Sequence, residues 1–207
     1  MYPFTKRLVD VGLSLVALAF FAPFLIAVAF LIWAHDRGPV FYRANRVGRH
    51  GRLFTMLKFR TMVMNADKLG ASSTADDDPR ITRLGKFLRR CKLDELPQLF
   101  NVLFGSMSLV GPRPQVKWAV DLYSPEERKV LEVQPGITDY ASLHFPNEGE
   151  ILKGSTDPDR DYMEKIHPHK MSLALQYVRD RSLATDLKIL GQTAATVLGW
   201  RAPHRTS

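Results

Sequence analysis

The feature that most constrains the fold of this chain is an uncharged apolar segment near its N-terminus. Residues 11–34 contain no charged side chain and consist mainly of Leu, Val, Ala, Phe and Ile. At about 1.5 Å per residue, a helix of this length covers a hydrocarbon core of roughly 30 Å. The apolar region of a cleaved signal peptide is usually shorter, about 7–15 residues. We therefore predict that this segment is a membrane anchor.

Two features favour a re-entrant anchor over a plain span. Pro23 lies near the middle of the segment, where a proline removes a backbone hydrogen bond and bends or breaks a helix. Lys6 and Arg7 precede the segment, and five arginines follow it between residues 37 and 52. Basic flanks stay on the cytoplasmic side of a membrane. A segment that turns back at Pro23 satisfies this at both ends, whereas a span would have to translocate the N-terminal pair.

The charge balance indicates an anionic partner. A total of 29 Lys and Arg against 21 Asp and Glu gives a net charge of +8. This charge suits a nucleic acid, an anionic lipid or a phosphorylated small molecule. The single cysteine, Cys91, excludes an intrachain disulfide framework and a cysteine-rich metal site. With 207 residues, the chain is long enough for one domain with a core in addition to the anchor.

A second membrane signal lies between residues 78 and 93. Apolar side chains recur there at helical spacing, and Lys and Arg occupy most of the other positions. A basic amphipathic helix of this kind can lie in the lipid headgroup layer, although a core-packed helix with a solvated basic face has the same pattern. The hydrophobic anchor upstream favours the interfacial interpretation.

The rest of the chain indicates a mixed fold. Residues 40–43 and 53–60 combine aromatic, β-branched and basic side chains around two glycines, which predicts two short strands joined by a turn. Residues 162–200 have helical periodicity. We predict an α/β fold that is mainly helical. A re-entrant helix-break-helix at residues 1–36 would precede a small domain with interfacial amphipathic helices at residues 37–207.

Asp94 and Glu95 stand between a run of cations and an apolar stretch that is predicted to be helical. Neighbouring helical residues point about 100° apart, so the two carboxylates cannot share a proton as a facing dyad or flank a sugar bond as in glycoside hydrolysis. A helix over residues 96–103 would place Asp94 at its N-terminus, where an N-cap role explains it without any chemistry. The same helix end, with Arg89 and Arg90 nearby, would also favour a phosphate.

Several longer motifs resemble one known family. They are Lys-Phe-Arg-Thr-Met at residues 58–62, Leu-Asp-Glu-Leu-Pro-Gln-Leu at 93–99, Met-Ser-Leu-Val-Gly-Pro-Arg-Pro at 107–114 and Pro-Gly-Ile-Thr at 135–138. In this order, after Lys-Arg-Leu-Val-Asp at 6–10, they resemble the bacterial sugar transferases. The resemblance is specifically to the small monotopic phosphoglycosyl transferases that act on polyprenyl phosphate, and it extends over essentially the whole chain.

The resemblance implies a two-step reaction of a UDP-sugar. The family aspartate that corresponds to Asp94 would attack the β-phosphorus, UMP would leave, and a phosphosugar-aspartyl intermediate would form. Undecaprenyl phosphate would then take the phosphosugar, in the first membrane step of an exopolysaccharide, O-antigen or glycoprotein pathway. Glu95 is implied as a proton acceptor or as a group that organises the metal. Mg²⁺ is the implied cofactor with Asp94 as its ligand, since Mg²⁺ usually binds one or two carboxylates and phosphate oxygens.

The resemblance also implies substrate contacts and a location. Lys58, Arg60, Arg89, Arg113 and Pro114 occupy motif positions that would contact phosphates or the nucleotide. The family anchor is re-entrant, and its active site lies at the cytoplasmic face of the bacterial inner membrane, among membrane lipids. Many members have Ser-Pro at the membrane break, whereas this chain has Ala-Pro. An alanine offers no hydroxyl to the carbonyl that proline leaves free, so the break must be stabilised in another way.

Two other functions stay open at this stage. A basic module that binds nucleic acid or a membrane surface would tolerate Asp94→Asn and would lose affinity steeply with salt. No nucleic-acid motif is present, so we expect no nucleic-acid partner. An ordinary glycosyltransferase with the same donor would release UDP rather than UMP. The sequence allows a homodimer but determines neither the oligomeric state, nor the sugar, nor the pathway.

Overall fold

The computed structural model describes residues 2–66, 69–70, 73–145 and 147–197. Within these ranges the chain is mainly helical, with two small two-stranded sheets, which confirms the predicted α/β class. The helices are α1 (Tyr2–Asp36), α2 (Arg83–Arg90), α3 (Gln98–Leu103), α4 (Lys117–Asp121), α5 (Tyr140–His144), α6 (Glu148–Ile151), α7 (Pro158–Asp161), α8 (His167–Asp180) and α9 (Leu183–Val197). The strands are β1 (Phe41–Val47), β2 (Leu53–Phe59), β3 (Ser108–Val110) and β4 (Gly136–Thr138). Short 3₁₀ or π segments lie at Arg49–Gly51, Leu93–Glu95, Glu127–Glu132 and Tyr162–Ile166.

α1 runs without interruption from Tyr2 to Asp36 and contains Pro23. The predicted break at Pro23 therefore does not divide the helix into two elements. The fixed φ of proline is compatible with helical geometry. Because proline has no backbone N–H, the helix lacks one hydrogen bond at this position. At about 1.5 Å per residue the helix is roughly 50 Å long. Among the described residues, it is the one helix whose length and composition would allow it to cross a membrane; its re-entrant path stays a prediction.

The two faces of α1 differ in their surroundings. One face packs on the rest of the protein, with Val28 and Ile32 buried against β2 and α2. Asp10 and Ser14 are buried on the same face nearer the N-terminus. The opposite face is apolar and exposed, which marks a membrane or protein contact. Its large exposed side chains include Val16, Phe20, Ile26 and Phe30.

β1 and β2 form the predicted antiparallel hairpin. They pair from Phe41 and Phe59 at the open end to the short turn at Arg49–Gly51. β1 extends to Val47, four residues past the predicted strand. In the turn His50 has a φ of 58°, and the glycine that follows it also has a positive φ, which reverses the chain within three residues.

α2 is shorter than the helix predicted for residues 78–93. It starts late because the Thr82 hydroxyl accepts a hydrogen bond from Gly85 N at 2.9 Å, as an N-cap residue does. The residues before it form turns and a single antiparallel bridge instead. A Cβ atom at Gly85 would lie 1.9 Å from the Thr61 carbonyl oxygen, so a glycine is required for α2 to approach this segment so closely.

The helical segment predicted at residues 162–200 is divided in the structure. It consists of the π-helical turn, α8 and α9. Arg181 leaves the helical conformation with a ψ of 120°, and Ser182 Oγ then accepts a hydrogen bond from Thr185 N at 3.1 Å to start α9. Residues 198–200 of this prediction lie outside the described residues.

The main core lies between α3, the sheets and the last two helices. Val102, Met107, Val110, Tyr177 and Ile189 are at its centre, each no more than 1% exposed. Full burial of an aliphatic side chain contributes about 1.5–3 kcal/mol. This core fixes α3 and β3, the two elements that follow the carboxylate pair in the chain.

Polar side chains at the start of α1 bind the C-terminal helices in a cluster that we call the α1 clamp. Asp186 on α9 accepts hydrogen bonds from Tyr2 Oη and Lys6 Nζ, both at 2.9 Å. Tyr177 Oη donates to the same carboxylate at 2.8 Å. Asp10 accepts a hydrogen bond from Ser108 Oγ at 2.7 Å. The clamp consists of Tyr2, Lys6, Asp10, Ser108, Tyr177 and Asp186.

Arg7 connects α1 to the end of α3. Its guanidinium donates to the carbonyl oxygens of Val102 and Leu103, at 2.5 and 2.8 Å. The last carbonyls of a helix lack partners within the helix and are favourable positions for a cation. The first turns of α1 therefore position the helix that follows the carboxylate pair.

Candidate active site

Asp94 and Glu95 lie in the 3₁₀ turn between α2 and α3. α3 begins three residues after Glu95, with Pro97 at its N-cap and without a side-chain cap. The N-cap interpretation of Asp94 is therefore wrong. Leu93 packs with the cluster that joins α1, β2 and α2, which fixes the turn. Asp94 is 6% exposed, and its carboxylate receives no hydrogen bond from the residues that the structure describes.

Glu95 is held by two cations. Lys58 Nζ on β2 lies 2.8 Å from its Oε1, and Arg113 donates to its two carboxylate oxygens at 2.5 and 3.1 Å. Burial acts to raise the pKa of Glu95, but Arg113 and Lys58 together hold this pKa well below its ordinary range. Glu95 is therefore an ionised carboxylate whose charge is already balanced, and it is a weak proton acceptor.

Asp94 has the opposite electrostatic character. Burial raises its pKa, and the adjacent Glu95 charge acts in the same direction, while Lys58 and Arg89 oppose the change. A carboxylate that is buried without donors is poorly solvated, so its oxygens are more basic than those of a hydrogen-bonded carboxylate. Of the two adjacent acids, Asp94 is the one equipped to attack an electrophile.

The other predicted cations differ in their contacts. Arg89 on α2 donates Nε to Thr61 Oγ1 at 2.9 Å and is an electrostatic neighbour of Asp94. Arg60 instead forms a two-point ion pair with Asp36 at the end of α1, at 2.6 and 2.5 Å. The structure thus pairs Arg60 with the end of α1 rather than with Asp94 or Glu95.

All the predicted site residues outside α1 nevertheless line one open cleft. Its volume is about 1200 Å³. Of its described lining residues, twelve are Lys or Arg and five are Asp or Glu. This excess of positive charge suits a ligand with several negative charges. The predicted residues in its wall are Lys58, Arg60, Arg89, Asp94, Glu95, Arg113 and Pro114.

Two of the sequence motifs meet in the parallel pair of β3 and β4. Gly136 N donates to the Pro112 carbonyl oxygen at 3.0 Å. A Cβ atom at Gly136 would lie 2.1 Å from Gly111 N, so the backbones could not approach this closely with a larger residue. The Pro-Gly-Ile-Thr motif therefore supports the turn that presents Arg113 to Glu95.

The residues of the cleft wall that sequence reasoning missed include Arg46, Glu148 and Lys170. Lys170 Nζ on α8 lies 2.8 Å from Glu148 Oε1 on α6. These two are 22 residues apart and belong to no motif, so no local spacing could have linked them. The sequence pattern assigns Arg46 to the basic flank of the anchor. The signal that could have found Arg46 is the alternation of side chains along a strand. In β1, which extends past the predicted strand, this alternation directs Arg46 and Tyr42 to the same face.

A magnesium ion fits Asp94 if the substrate supplies further ligands. In the described part of the chain, no group of three or more His, Cys, Asp and Glu side chains could hold a metal, and Glu95 already binds two cations. The Asp94 carboxylate, free of hydrogen bonds from described residues, is the hard oxygen donor that Mg²⁺ prefers. Phosphate oxygens and water would complete the coordination.

An apolar N-terminal helix, a cation-rich cleft and a buried carboxylate together define a protein suited to an anionic ligand near a membrane. The sequence model of the bacterial sugar transferase family matches residues 1–200, and the chain belongs to this family. The family match confirms the resemblance that the motifs indicated.

Curated relatives include several named sugar phosphotransferases. UDP-N-acetylgalactosamine-undecaprenyl-phosphate N-acetylgalactosaminephosphotransferase of Aeromonas hydrophila is 36% identical over 96% of this chain and 44% of its own length. UDP-glucose:undecaprenyl-phosphate glucose-1-phosphate transferase of Xanthomonas campestris is 38% identical over 96% of this chain and 40% of its own length. An enzyme of the same name from Caulobacter vibrioides is 36% identical over 93% of this chain and 69% of its own length. The chain thus spans less than half the length of the first two relatives, and the names differ in the sugar.

Proposed function

We propose that this protein is a phosphoglycosyl transferase that moves a sugar 1-phosphate from a UDP-sugar to undecaprenyl phosphate. The observation that carries the proposal is the buried Asp94 carboxylate, without a hydrogen-bond donor among the described residues, in the wall of a cation-rich cleft. The names of the relatives support the substrate class. The reaction would be the first membrane step of a glycan pathway.

Asp94 is the nucleophile in this proposal. One of its oxygens attacks the β-phosphorus of the UDP-sugar, the bond to the bridging oxygen breaks, and UMP leaves with the bonding electrons. An oxygen of undecaprenyl phosphate then attacks the phosphorus of the phosphosugar-aspartyl intermediate and releases the carboxylate. Covalent catalysis divides one difficult displacement between two anions into two easier steps.

Glu95 positions cations in this scheme, which departs from the proton-acceptor role that the resemblance implied. Its lowered pKa makes it a poor base. No base is needed in the second step, because the second pKa of a phosphate monoester is about 6 and the acceptor oxygen is largely ionised at neutral pH. Glu95 instead holds Lys58 and Arg113 in place before negative charge develops on the transferred phosphorus.

Magnesium is part of the proposal. When bound, Mg²⁺ neutralises charge on the diphosphate and stabilises the leaving phosphate. Asp94 would contribute a ligand to it. Arg89 would assist from the α2 side of the carboxylate.

α1 is proposed to be a re-entrant anchor at the cytoplasmic face of the bacterial inner membrane, with residues 37–207 as the catalytic domain. Support comes from its contacts, because α1 is packed on the domain at Asp10 and again at Val28 and Ile32. A helix that crossed the membrane as a plain span would lead away from the domain, so it would lose either the contact at Asp10 or the contact at Val28 and Ile32. Phe87 on α2 and Phe104 after α3 are exposed and would enter the headgroup layer.

The experiment uses the full chain in lipid nanodiscs with undecaprenyl phosphate, Mg²⁺ and a panel of UDP-sugars. UMP and UDP are quantified separately. We expect UMP release that requires the lipid acceptor and disappears in Asp94→Asn. The matched control is Asp121→Asn, which removes an exposed carboxylate on α4 and should keep the wild-type rate.

The two products separate the competing reactions. UDP release would indicate an ordinary glycosyltransferase and would remove the Asp94 mechanism. Release of UMP that persists in Asp94→Asn would keep the reaction class but reject the nucleophile. Trapping of a labelled phosphosugar on wild-type protein without acceptor, and its absence in the variant, would establish the covalent step.

A further inference from the structure

Arg46 is a half-buried cation of the cleft wall without a partner among the residues that the structure describes. Its guanidinium has no hydrogen bond or ion pair with any described residue. Lys58 and Arg113 of the cleft pair with Glu95, and Lys170 pairs with Glu148. Arg89 has no ion pair with a described residue but donates a hydrogen bond to Thr61 Oγ1, whereas Arg46 has neither kind of contact. A guanidinium that is shielded from water is costly unless an anion compensates its charge.

The strand register brings Arg46 to the same side of the hairpin as Lys58. Lys58 pairs directly with Tyr42 across the two strands, and residues four positions apart in a strand point to the same face. Both Arg46 and Lys58 line the cleft. Lys58 is paired with Glu95, whereas no carboxylate in the described ranges is within ion-pair distance of Arg46.

A neighbouring positive charge makes burial of the Arg46 charge less favourable. Burial lowers the pKa of Arg46, and the Arg113 guanidinium lowers it further. Arg113 already donates to both oxygens of Glu95. Glu95 compensates the charges of Lys58 and Arg113 but not that of Arg46, so the charge of Arg46 is left for a further anion. Tyr42 and Tyr162 lie near the same guanidinium and line the same wall.

We propose that Arg46 binds a phosphoryl group of a substrate and forms an anion contact beside Arg113. The proposal rests on the proposed function, in which the cleft handles a nucleotide diphosphate and a lipid phosphate. The planar guanidinium offers two parallel N–H donors, which match two phosphate oxygens. Either substrate supplies this chemistry, so the test must distinguish the nucleotide from the lipid.

The test measures equilibrium binding to the full chain in nanodiscs, without turnover. UDP is titrated against uridine, which lacks the phosphates. Farnesyl phosphate is titrated against farnesol in the same way. The variants are Arg46→Gln, which removes the charge, and Arg46→Lys, which keeps the charge but loses the two-point geometry. Arg52→Gln is the matched control, because it removes an exposed cation from the turn of the same hairpin, outside the cleft wall.

We expect Arg46→Gln to weaken the binding of one phosphorylated probe by about tenfold or more, as for the loss of a charge-assisted hydrogen bond. Arg46→Lys should be intermediate, and Arg52→Gln should stay close to wild type. A loss confined to UDP assigns Arg46 to the donor, and a loss confined to farnesyl phosphate assigns it to the acceptor. Thermal unfolding of each variant checks that the chain is folded.

Unchanged affinity for both phosphorylated probes in a folded Arg46→Gln variant would overturn the proposal. An equal loss for uridine or farnesol would also overturn it, because the contact would then not be to phosphate. Failure of wild type to release UMP in the transfer assay, with UDP binding intact and sensitive to Arg46, would reject the reaction but not the phosphate contact. The two proposals therefore fail in distinguishable ways.

Discussion

The α1 clamp and the cleft around Asp94 are both built from charged side chains, but their charges are satisfied differently. In the clamp, the Asp186 carboxylate accepts hydrogen bonds from one lysine and two tyrosines, and Asp10 accepts one from Ser108. In the cleft, Asp94 and Arg46 have no such partner among the described residues. Protein groups complete the first cluster, whereas the second needs a ligand. A satisfied polar network rigidifies a fold, while unpaired buried groups mark sites of binding and chemistry.

The first prediction concerns the unpaired carboxylate and carries the largest expected effect. Asp94→Asn should lower the rate of UMP release by about 10⁴-fold or more, as for removal of a catalytic nucleophile. The pKa of Asp94 is raised in the folded state. At a pH above the ordinary pKa of aspartate, the ionised Asp94 therefore destabilises the folded chain relative to the unfolded chain. The variant should therefore unfold at the same or a higher temperature at neutral pH. Rate and thermal unfolding are measured together, and a destabilised variant would contradict this assignment.

The second prediction breaks the clamp. Asp186→Ala should lower the free energy of unfolding by about 3–5 kcal/mol, because Lys6 and two tyrosine hydroxyls then lose a buried partner. The measurement is thermal unfolding in nanodiscs, with UMP release per folded molecule assayed at low temperature. Asp121→Ala removes an exposed carboxylate paired with Lys117 and should cost less than about 1 kcal/mol. An equal loss of unfolding free energy in both variants would show that the buried contacts of Asp186 stabilise the fold no more than an exposed ion pair does.

The third prediction changes the paired acid of the cleft. Glu95→Gln should lower the rate of UMP release by about 100-fold, because Lys58 and Arg113 lose the group that positions them for the transition state. A wild-type rate in Glu95→Gln would contradict this role, because Lys58 and Arg113 would then be in position without the Glu95 carboxylate.

Glu95 also predicts a pH effect. Its folded-state pKa lies well below the ordinary value of 4.5. Its contribution to stability is therefore fully present above pH 4.5 and is lost as the pH falls through the folded-state pKa. Wild type should lose thermal stability faster than Glu95→Gln when the pH is lowered below 4.5, and parallel curves would contradict this.

The smallest effect is expected at the other end of α1, where Arg60 pairs with Asp36. The Asp36 side chain is 28% exposed, and such pairs contribute less than about 1 kcal/mol. Asp36→Asn should therefore change the unfolding temperature little and leave the donor KM within about twofold of wild type. A large rise in KM would indicate that Asp36 positions Arg60 for substrate, as the motif resemblance implied for this arginine.

Local pattern was enough for several parts of the fold and site. The uncharged run at residues 11–34 predicts a helix because its backbone groups must be satisfied internally in an apolar environment. The hairpin followed from aromatic, β-branched and basic side chains around two glycines. Motif resemblance selected residues that line one cleft, although the contact of Arg60 with Asp36 was not visible in it.

The boundaries of α2 and the role of the carboxylate turn could not be predicted in this way. A helical periodicity over residues 78–93 is real, but the Thr82 cap and a backbone bridge to another segment override it at the N-terminal end. Asp94 matched the residue preference of an N-cap, yet the turn around it is 3₁₀ and α3 is capped elsewhere. Competition between local preference and tertiary contact decided both cases.

By itself, the sequence determined the class of the molecule: an apolar helix, a basic domain and the motifs of the bacterial sugar transferases. These are properties of composition, periodicity and order along the chain, and each is carried by residues close together in sequence. The tertiary structure decided which charges are paired. Glu95 is neutralised by Lys58 and Arg113, whereas Asp94 and Arg46 are left to a ligand. Pairing depends on distances between side chains far apart in the chain, and those distances exist only once the elements have packed.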